Sequence, residues 1–174
     1  MGKGVYNKKE IEEIKLKREV KALSNLLINI NEEESSVLEK VKIKKPKLNY
    51  KQSFLVISNV QLYKTYSVIG ITENFKLSTK YFILDLAILL DVWFNNSNLI
   101  DKSTLFECDI LIIKGKGISH NSDKKATGLI ELISSRRTLN KITWVYIEDT
   151  TLDNFNTLYP GVSDIVNNKY QISI

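Results

Sequence analysis

The chain has 174 residues, of which 43% are hydrophobic and 26% charged, with only 7 glycines and 2 prolines. This composition predicts one globular domain with a short appendage, and it excludes intrinsic disorder and two domains with separate cores. The single cysteine, Cys108, and the single histidine, His120, exclude an internal disulfide and a zinc site built from these residue types. We find no signal-like N-terminus and no apolar stretch long enough to span a membrane, so we expect a cytoplasmic protein that holds no metal and no cofactor.

The net charge of +5 is concentrated in the N-terminal third of the chain. Residues 1–50 hold 12 Lys and Arg against 8 Glu, a balance of +4, whereas residues 51–174 hold 13 against 12, a balance of +1. Five lysines make up a basic run that predicts either a segment following nucleic-acid phosphates or a solvated linker: Lys42, Lys44, Lys45, Lys47 and Lys51.

The first predicted element is a helix over residues 8–29, because its apolar residues recur mostly at three- and four-residue steps between Lys and Glu. A short second helix is predicted at 36–41, and Pro46 marks the linker that follows. We place a domain boundary at about residue 50, with a helical arm and basic linker over 1–50 and the main domain over 51–174. We expect the apolar stripe of the arm to pack on the main domain, on a second copy of the chain or on a partner, with docking on a partner favoured; it consists of Leu16, Val20, Leu23 and Leu27.

The main domain alternates predicted strands with predicted helices. Strands are predicted at 53–58, 81–84, 109–113, 142–147 and in the closing YQISI; helices are predicted at 64–73, 86–94, 124–139 and in TLDNF, with Asp85 capping the second. Continuous apolar runs such as SFLVIS are typical of parallel strands buried on both faces. The alternation predicts a three-layer α/β domain with a mostly parallel sheet.

The first motif follows the strand SFLVIS, where the chain reads SNVQLYKT from Ser58 to Thr65. Here the main domain resembles the ATPase domain of bacterial helicase loaders and their transposition-associated relatives, which are AAA+ P-loop proteins. The resemblance implies that Lys64 and Thr65 stand where the phosphate-contacting lysine and the magnesium-contacting threonine of GxxxxGK[ST] stand. Ser58 and Tyr63 replace both glycines of that loop, whose freedom at positive φ brings backbone amides close to phosphates.

The second motif is the segment TLFECDILIIKGKGIS, residues 104–119, which is similar to the Walker B strand of the same family. Lys114 and Gly115 stand at the two acidic positions, which would orient the magnesium shell and activate the attacking water. A lysine at the first position would repel the cation. Asp109 lies five residues earlier, roughly 16 Å along a strand, which is too far for it to substitute.

The downstream segment GLIELISSRRTLNKITWVYIED resembles the helix and strand that carry the arginines and the polar sensor of the family. Two interpretations of Arg136 and Arg137 stay open: an interface with a subunit or DNA, and solvated charges near a helix C-terminus. The sensor position is acidic, with Glu148 and Asp149, and Asp164 replaces the arginine of the last motif. Together these departures indicate that the ATPase machinery is lost while the fold is kept.

The remaining chemically notable residues are assigned structural roles. His120 lies in a predicted loop, where we expect it to be solvated, and Cys108 precedes a buried strand as a small packing residue. The apolar patterns around Trp93, Phe94 and Trp144 predict core positions.

These features predict a non-catalytic, helicase-loader-like protein, not an enzyme, that acts by protein–protein binding in DNA replication, recombination or transposition. The expected partner is a replication or recombination ATPase or helicase, with DNA as an optional second partner and with the oligomeric state left open. A phage or mobile element is the expected source. Two alternatives stay open: a weak ATPase completed by neighbouring subunits, and a basic nucleic-acid-binding adaptor unrelated to P-loop ATPases.

Overall fold

The computed structural model describes residues 7–26, 47–76, 78–93, 100–117 and 121–173. The strands are β1 Phe54–Ser58, β2 Tyr81–Asp85, β3 Ile110–Lys116, β4 Ile142–Glu148 and β5 Asn168–Ile172. The helices are α1 Lys8–Leu26, α2 Tyr63–Asn74, α3 Leu89–Trp93, α4 Lys102–Glu107, α5 Ser122–Thr138 and α6 Leu152–Leu158, with 3₁₀ turns at Leu86–Ile88 and Ser163–Ile165.

The five strands form one parallel sheet in the order β2-β3-β4-β1-β5. The interior strand β1, between β4 and β5, is buried along its whole length, as its continuous apolar run predicts. One face of the sheet packs on α2, and the opposite face packs on α5 and α6. The predicted three-layer, P-loop NTPase-like α/β fold is therefore confirmed.

An aromatic cluster fills the layer between the sheet and α2. The rings of Phe54 and Trp144 stack at 5.4 Å between centroids, and Tyr50 meets Trp144 edge-on at 5.7 Å. Gly70 of α2 allows this packing, because a Cβ there would lie 2.3 Å from the ring of Tyr50. Tyr50 thereby packs the segment that precedes β1 against Trp144 of the sheet and Gly70 of α2.

The structure differs from the predicted elements in several places. Residues 102–107 form helix α4, where no element was predicted, and the helix predicted at 86–94 is a 3₁₀ turn at Leu86–Ile88 followed by α3. Strand β3 continues to Lys116, so Lys114 and Gly115 lie inside the strand instead of after it. Asp101 caps α4 by accepting a hydrogen bond from the Ser103 N–H at 2.9 Å, which explains why a helix begins there.

The arm helix α1 lies beside α2 and the edge strand β2. Asn7 and Glu10 cap it reciprocally: the Glu10 N–H donates to Asn7 Oδ1 at 2.9 Å, and the Asn7 N–H donates to Glu10 Oε2 at 2.7 Å. Ile11 and Ile14 are exposed at 43% and 38%. The helix predicted at 36–41 and the side chains of the predicted apolar stripe lie outside the described residues. No helix in the described ranges has the length and apolar character to cross a membrane.

Candidate functional site

A cleft of about 350 Å³ opens at the carboxyl ends of β1, β2, β3 and β4. Ligand sites of open parallel α/β sheets lie at this end of the strands, so the location alone makes the cleft the candidate site. Its walls come from the loop after β1, the turn after β2 and the ends of β3 and β4: Gln61, Leu62, Tyr63, Asp85, Leu86, Ala87, Lys114, Gly115, Lys116, Tyr146, Ile147, Glu148 and Tyr159.

The loop between β1 and α2 holds the first predicted motif. Lys64 and Thr65 lie in the first turn of α2, where Lys64 is half-buried and Thr65 is 2% exposed. Every residue of the segment 58–65 has negative φ, and the Ser58 hydroxyl donates to the Val60 carbonyl inside the loop. A phosphate-binding nest alternates right- and left-handed residues. The loop therefore lacks the backbone form that a P-loop uses.

Tyr63, at the position of the second P-loop glycine, is directed into the protein. Its side chain is only 8% exposed and lines the cleft. The Lys114 ammonium lies over the Tyr63 ring, 5.2 Å from its centroid, which is within range of a cation–π interaction. The two segments that were predicted to be degenerate Walker motifs are therefore in contact through the side chains of Tyr63 and Lys114.

Lys114 also pairs with a carboxylate that the sequence analysis assigned only a capping role. β2 and β3 place Asp85 and Lys114 directly beside each other, and the Lys114 Nζ lies 3.1 Å from Asp85 Oδ2. Asp85 accepts the Ala87 N–H at 2.9 Å as well, so its predicted cap is confirmed, at the 3₁₀ turn that leads into α3. Partial burial raises the pKa of Asp85, but the hydrogen bonds from Ala87 and Lys114 and the lysine charge outweigh it and lower that pKa.

Gly115, at the second Walker B position, leaves no room for a side chain. A Cβ at this residue would lie 2.7 Å from the Leu86 Cβ, a contact that real structures do not tolerate. The 3₁₀ turn after β2 thus covers the position that was predicted to correspond to the second Walker B acid. A glutamate could be restored here only if the turn moved.

Glu148 ends β4 at the sensor position and faces the same cleft. Burial and the adjacent Asp149 raise its pKa, while Lys116 and Lys114 oppose that increase. Lys116 Nζ and Asp149 Oδ2 are 3.9 Å apart, and both side chains are more than half exposed. The cleft thus mixes acidic and basic groups, whereas a nucleotide site concentrates positive charge around the phosphates.

For Arg136, the structure contradicts both interpretations of the arginine pair. It is 0% exposed, so it is neither a surface contact nor a solvated charge. Its guanidinium donates to the carbonyls of Leu105 at 2.6 Å and Ile142 at 2.7 Å and to Thr143 Oγ1 at 3.0 Å. Arg136 therefore fastens the end of α4 to the start of β4.

Arg137 is exposed, and its guanidinium donates to the Ile165 carbonyl. It remains a predicted binding residue. Of the five lysines in the basic run, Lys47 and Lys51 are exposed, and the other three lie outside the described residues: Lys42, Lys44 and Lys45. The structure therefore separates the predicted site residues: Lys64 and Thr65 directly follow the cleft-lining Tyr63 without lining the cleft themselves, whereas Lys51 precedes β1 and Arg137 lies in the last turn of α5.

The remaining predictions have mixed outcomes. Trp144 is fully buried, and Cys108 is 5% exposed beside Arg136, so both are core residues as predicted. Trp93 is half-buried, and its indole N–H donates to Glu131 at 2.6 Å. Phe94 and His120 lie outside the described residues. Within the described part of the chain, no group of three His, Cys, Asp or Glu side chains is arranged to hold a metal ion.

Comparisons with known proteins reveal only distant structural likeness. No protein-family model matches the chain, and no curated protein matches it. AMPPCP-bound DnaA from Aquifex aeolicus is 10% identical with a TM-score of 0.43, over 84% of this chain and 48% of that one. A DNA replication initiation factor is 10% identical with a TM-score of 0.45, over 80% of this chain and 44% of that one.

A third structure, replication initiator DnaA bound to AMPPCP and single-stranded DNA, is 11% identical with a TM-score of 0.46. The match covers 89% of this chain and 50% of that one. The chain thus spans about half the length of the structures it resembles.

Proposed function

We propose that this protein is a P-loop-like domain without ATPase activity, and that it acts by binding an ATPase or helicase of DNA replication, recombination or transposition in the cytoplasm. The observation that carries the proposal is the side chain of Lys114, which lies between Asp85 and Tyr63 in the cleft. The replication context comes from the order and spacing of the degenerate motifs along the main domain.

Electrostatic repulsion and lack of space both oppose hydrolysis at this cleft. Magnesium-assisted phosphoryl transfer needs a carboxylate to orient the metal shell and a second group to position the attacking water. At the first position the Lys114 ammonium would repel a divalent cation, and its ion pair occupies the nearby Asp85 carboxylate. At the second position Gly115 has neither the functional group nor the space for one.

Calorimetric titration of the full chain with Mg-ATP, together with a phosphate-release assay, tests the loss of activity. We expect no binding at micromolar nucleotide and no phosphate release. Lys64→Ala serves as the matched control, since it removes the lysine that would contact the phosphates in a P-loop. Micromolar binding that disappears in Lys64→Ala would contradict the proposal, and phosphate release only in the presence of a second ATPase would favour a shared active site.

The binding role is supported by α1, whose first half projects exposed apolar side chains. Ile11 and Ile14 are three residues apart and therefore lie on one side of the helix. The double substitution Ile11→Ser and Ile14→Ser is expected to weaken co-elution with the replicative helicase of the host in size-exclusion chromatography. Lys9→Ser and Lys17→Ser on the same helix form the control pair, and equal binding by all three proteins would exclude this surface.

A further inference from the structure

The amino-terminal edge of the sheet carries a row of lysines. All strands of a parallel sheet begin at the same edge, so residues just before the strands lie near one another. Lys80 directly precedes β2, Lys141 directly precedes β4, and Lys51 lies three residues before β1. Lys76 follows the end of α2, which returns the chain to this edge, and the Thr79 N–H donates to its carbonyl at 3.1 Å. We call these four lysines the basic edge.

The strand order sets the spacing of these lysines. Neighbouring strands are about 4.8 Å apart, so the starts of β2 and β4 are separated by about 10 Å, and β1 follows about 5 Å further along. The strand starts are held in register by polar bonds, including one from the Thr143 N–H to Ser53 Oγ at 2.9 Å. The edge is therefore a fixed scaffold for a row of positive charges.

The carboxylate within the row, Asp109, forms an ion pair with only one of these lysines, and the charge of Lys80 acts on it from further away. Asp109, at the start of β3, has its Oδ1 3.1 Å from the Lys141 Nζ, and its Oδ2 accepts the Lys80 backbone N–H at 3.0 Å. Lys51, Lys76 and Lys80 are exposed and form no ion pair with another described residue. Three ammonium groups are thus available to an anionic ligand.

We propose that the basic edge binds the phosphodiester backbone of a nucleic acid. The lysines are spread along an exposed edge, which suits an extended polyanion better than a small one. The exposed Lys47 lies four residues before Lys51, so the described part of the basic run adjoins this edge. The site lies at the opposite end of the strands from the cleft, so the proposal does not depend on whether the cleft binds nucleotide.

Nearby acidic side chains limit the number of phosphates that the edge can hold. Glu73 in the last turn of α2 and Glu107 at the end of α4 are exposed on the flanking helices. We therefore expect contacts through the three unpaired lysines only. Three phosphate contacts predict moderate, strongly salt-dependent binding without base specificity.

Fluorescence anisotropy of the full chain with labelled oligo(dT), and with a duplex of the same length, tests the proposal over a range of NaCl concentrations. Substituting Lys51→Gln, Lys76→Gln and Lys80→Gln together removes three charges. We expect the slope of log K against log salt to become shallower by about 2 for the single strand, since each phosphate contact contributes roughly 0.7. For a duplex that binds, the slope should become shallower by about 2.7, since each phosphate contact with duplex DNA contributes roughly 0.9.

A control with the same change in charge separates a defined surface from net charge. Lys9→Gln, Lys17→Gln and Lys124→Gln alter three exposed lysines on α1 and at the start of α5. A shallower slope in the edge variant and an unchanged slope in the control support the proposal, and the stronger wild-type ligand identifies the source of the phosphates. Equal losses in both variants, or no wild-type binding to either ligand, would overturn it.

Discussion

Replacing Lys114 by Met tests whether the lysine at the Walker B position stabilises the domain through Asp85 and Tyr63. The ion pair is partly exposed, with side-chain accessibilities of 30% and 42%, so we assign it about 0.5 kcal/mol. The contact with the Tyr63 ring adds about 0.5 kcal/mol. Met keeps the apolar stem, so the expected loss at pH 7 is about 1 kcal/mol, which corresponds to about 2–4 °C in Tm for a chain of this size.

The pH dependence of this loss distinguishes the two contacts. The pKa of Asp85 is lower in the folded protein than its ordinary value, so its ionised form stabilises the fold. Such stabilisation is present above the unfolded pKa of about 3.9 and is lost as the pH falls through the folded pKa. The ion-pair part of the Lys114→Met effect should therefore disappear in acid, leaving only the part due to Tyr63.

Urea unfolding at pH 7 and at an acidic pH below the folded pKa of Asp85 measures both parts. Lys116→Met is the matched control, because Lys116 is 67% exposed and only loosely paired with Asp149 at 3.9 Å. We expect the control to change stability very little at either pH. A Lys114→Met effect that is the same at both pH values, or a control effect of equal size, would refute the assigned contacts.

Three further predictions concern residues outside this pair. Arg136→Met should lower the free energy of unfolding by about 3 kcal/mol, because it leaves several buried carbonyls without a donor. Arg137→Met should have little effect, and urea unfolding of both variants measures the difference. Gly70→Ala should destabilise by about 1–3 kcal/mol in thermal unfolding, since the new methyl group meets the Tyr50 ring, and an unchanged Tm would contradict the packing. Glu148→Gln should stabilise the protein at pH 7 and have no effect in acid, because the raised pKa of Glu148 means that its ionised carboxylate destabilises the folded state. Unfolding curves at a series of pH values test whether the substitution stabilises at neutral pH.

Local sequence determined the elements of the main domain. Continuous apolar runs predict strands buried on both faces, and β1, β2 and β4 begin or end within one residue of their predicted limits. The helix after β1 was predicted at 64–73 and spans Tyr63–Asn74. The helix α4 was missed, because its six residues are too few to display helical periodicity and its Asp101 cap was overlooked.

The altered residues of the two motifs could be identified from the sequence, but the contacts that these residues form in the structure could not. Lys114 was recognised as incompatible with a magnesium ion, yet its pairing with Asp85 depends on the register of β2 against β3. Tyr63 was identified as the replacement of a loop glycine, and its contact with Lys114 requires α2 and β3 to meet at the carboxyl end of the sheet. These pairs are separated by 29 and 51 positions, so no local pattern records them.

The sequence also could not distinguish the two arginines at the end of α5, Arg136 and Arg137. Both residues carry the same charge and lie near the C-terminus of α5, so the sequence analysis gave them the same two interpretations. Neighbours on a helix point about 100° apart, and the packing of α5 on the sheet places one inside the protein and leaves the other exposed. The sequence by itself therefore determined the strands, the main helices and the altered motifs, whereas burial, charge pairing and the basic edge were decided by long-range packing of elements that are distant along the chain.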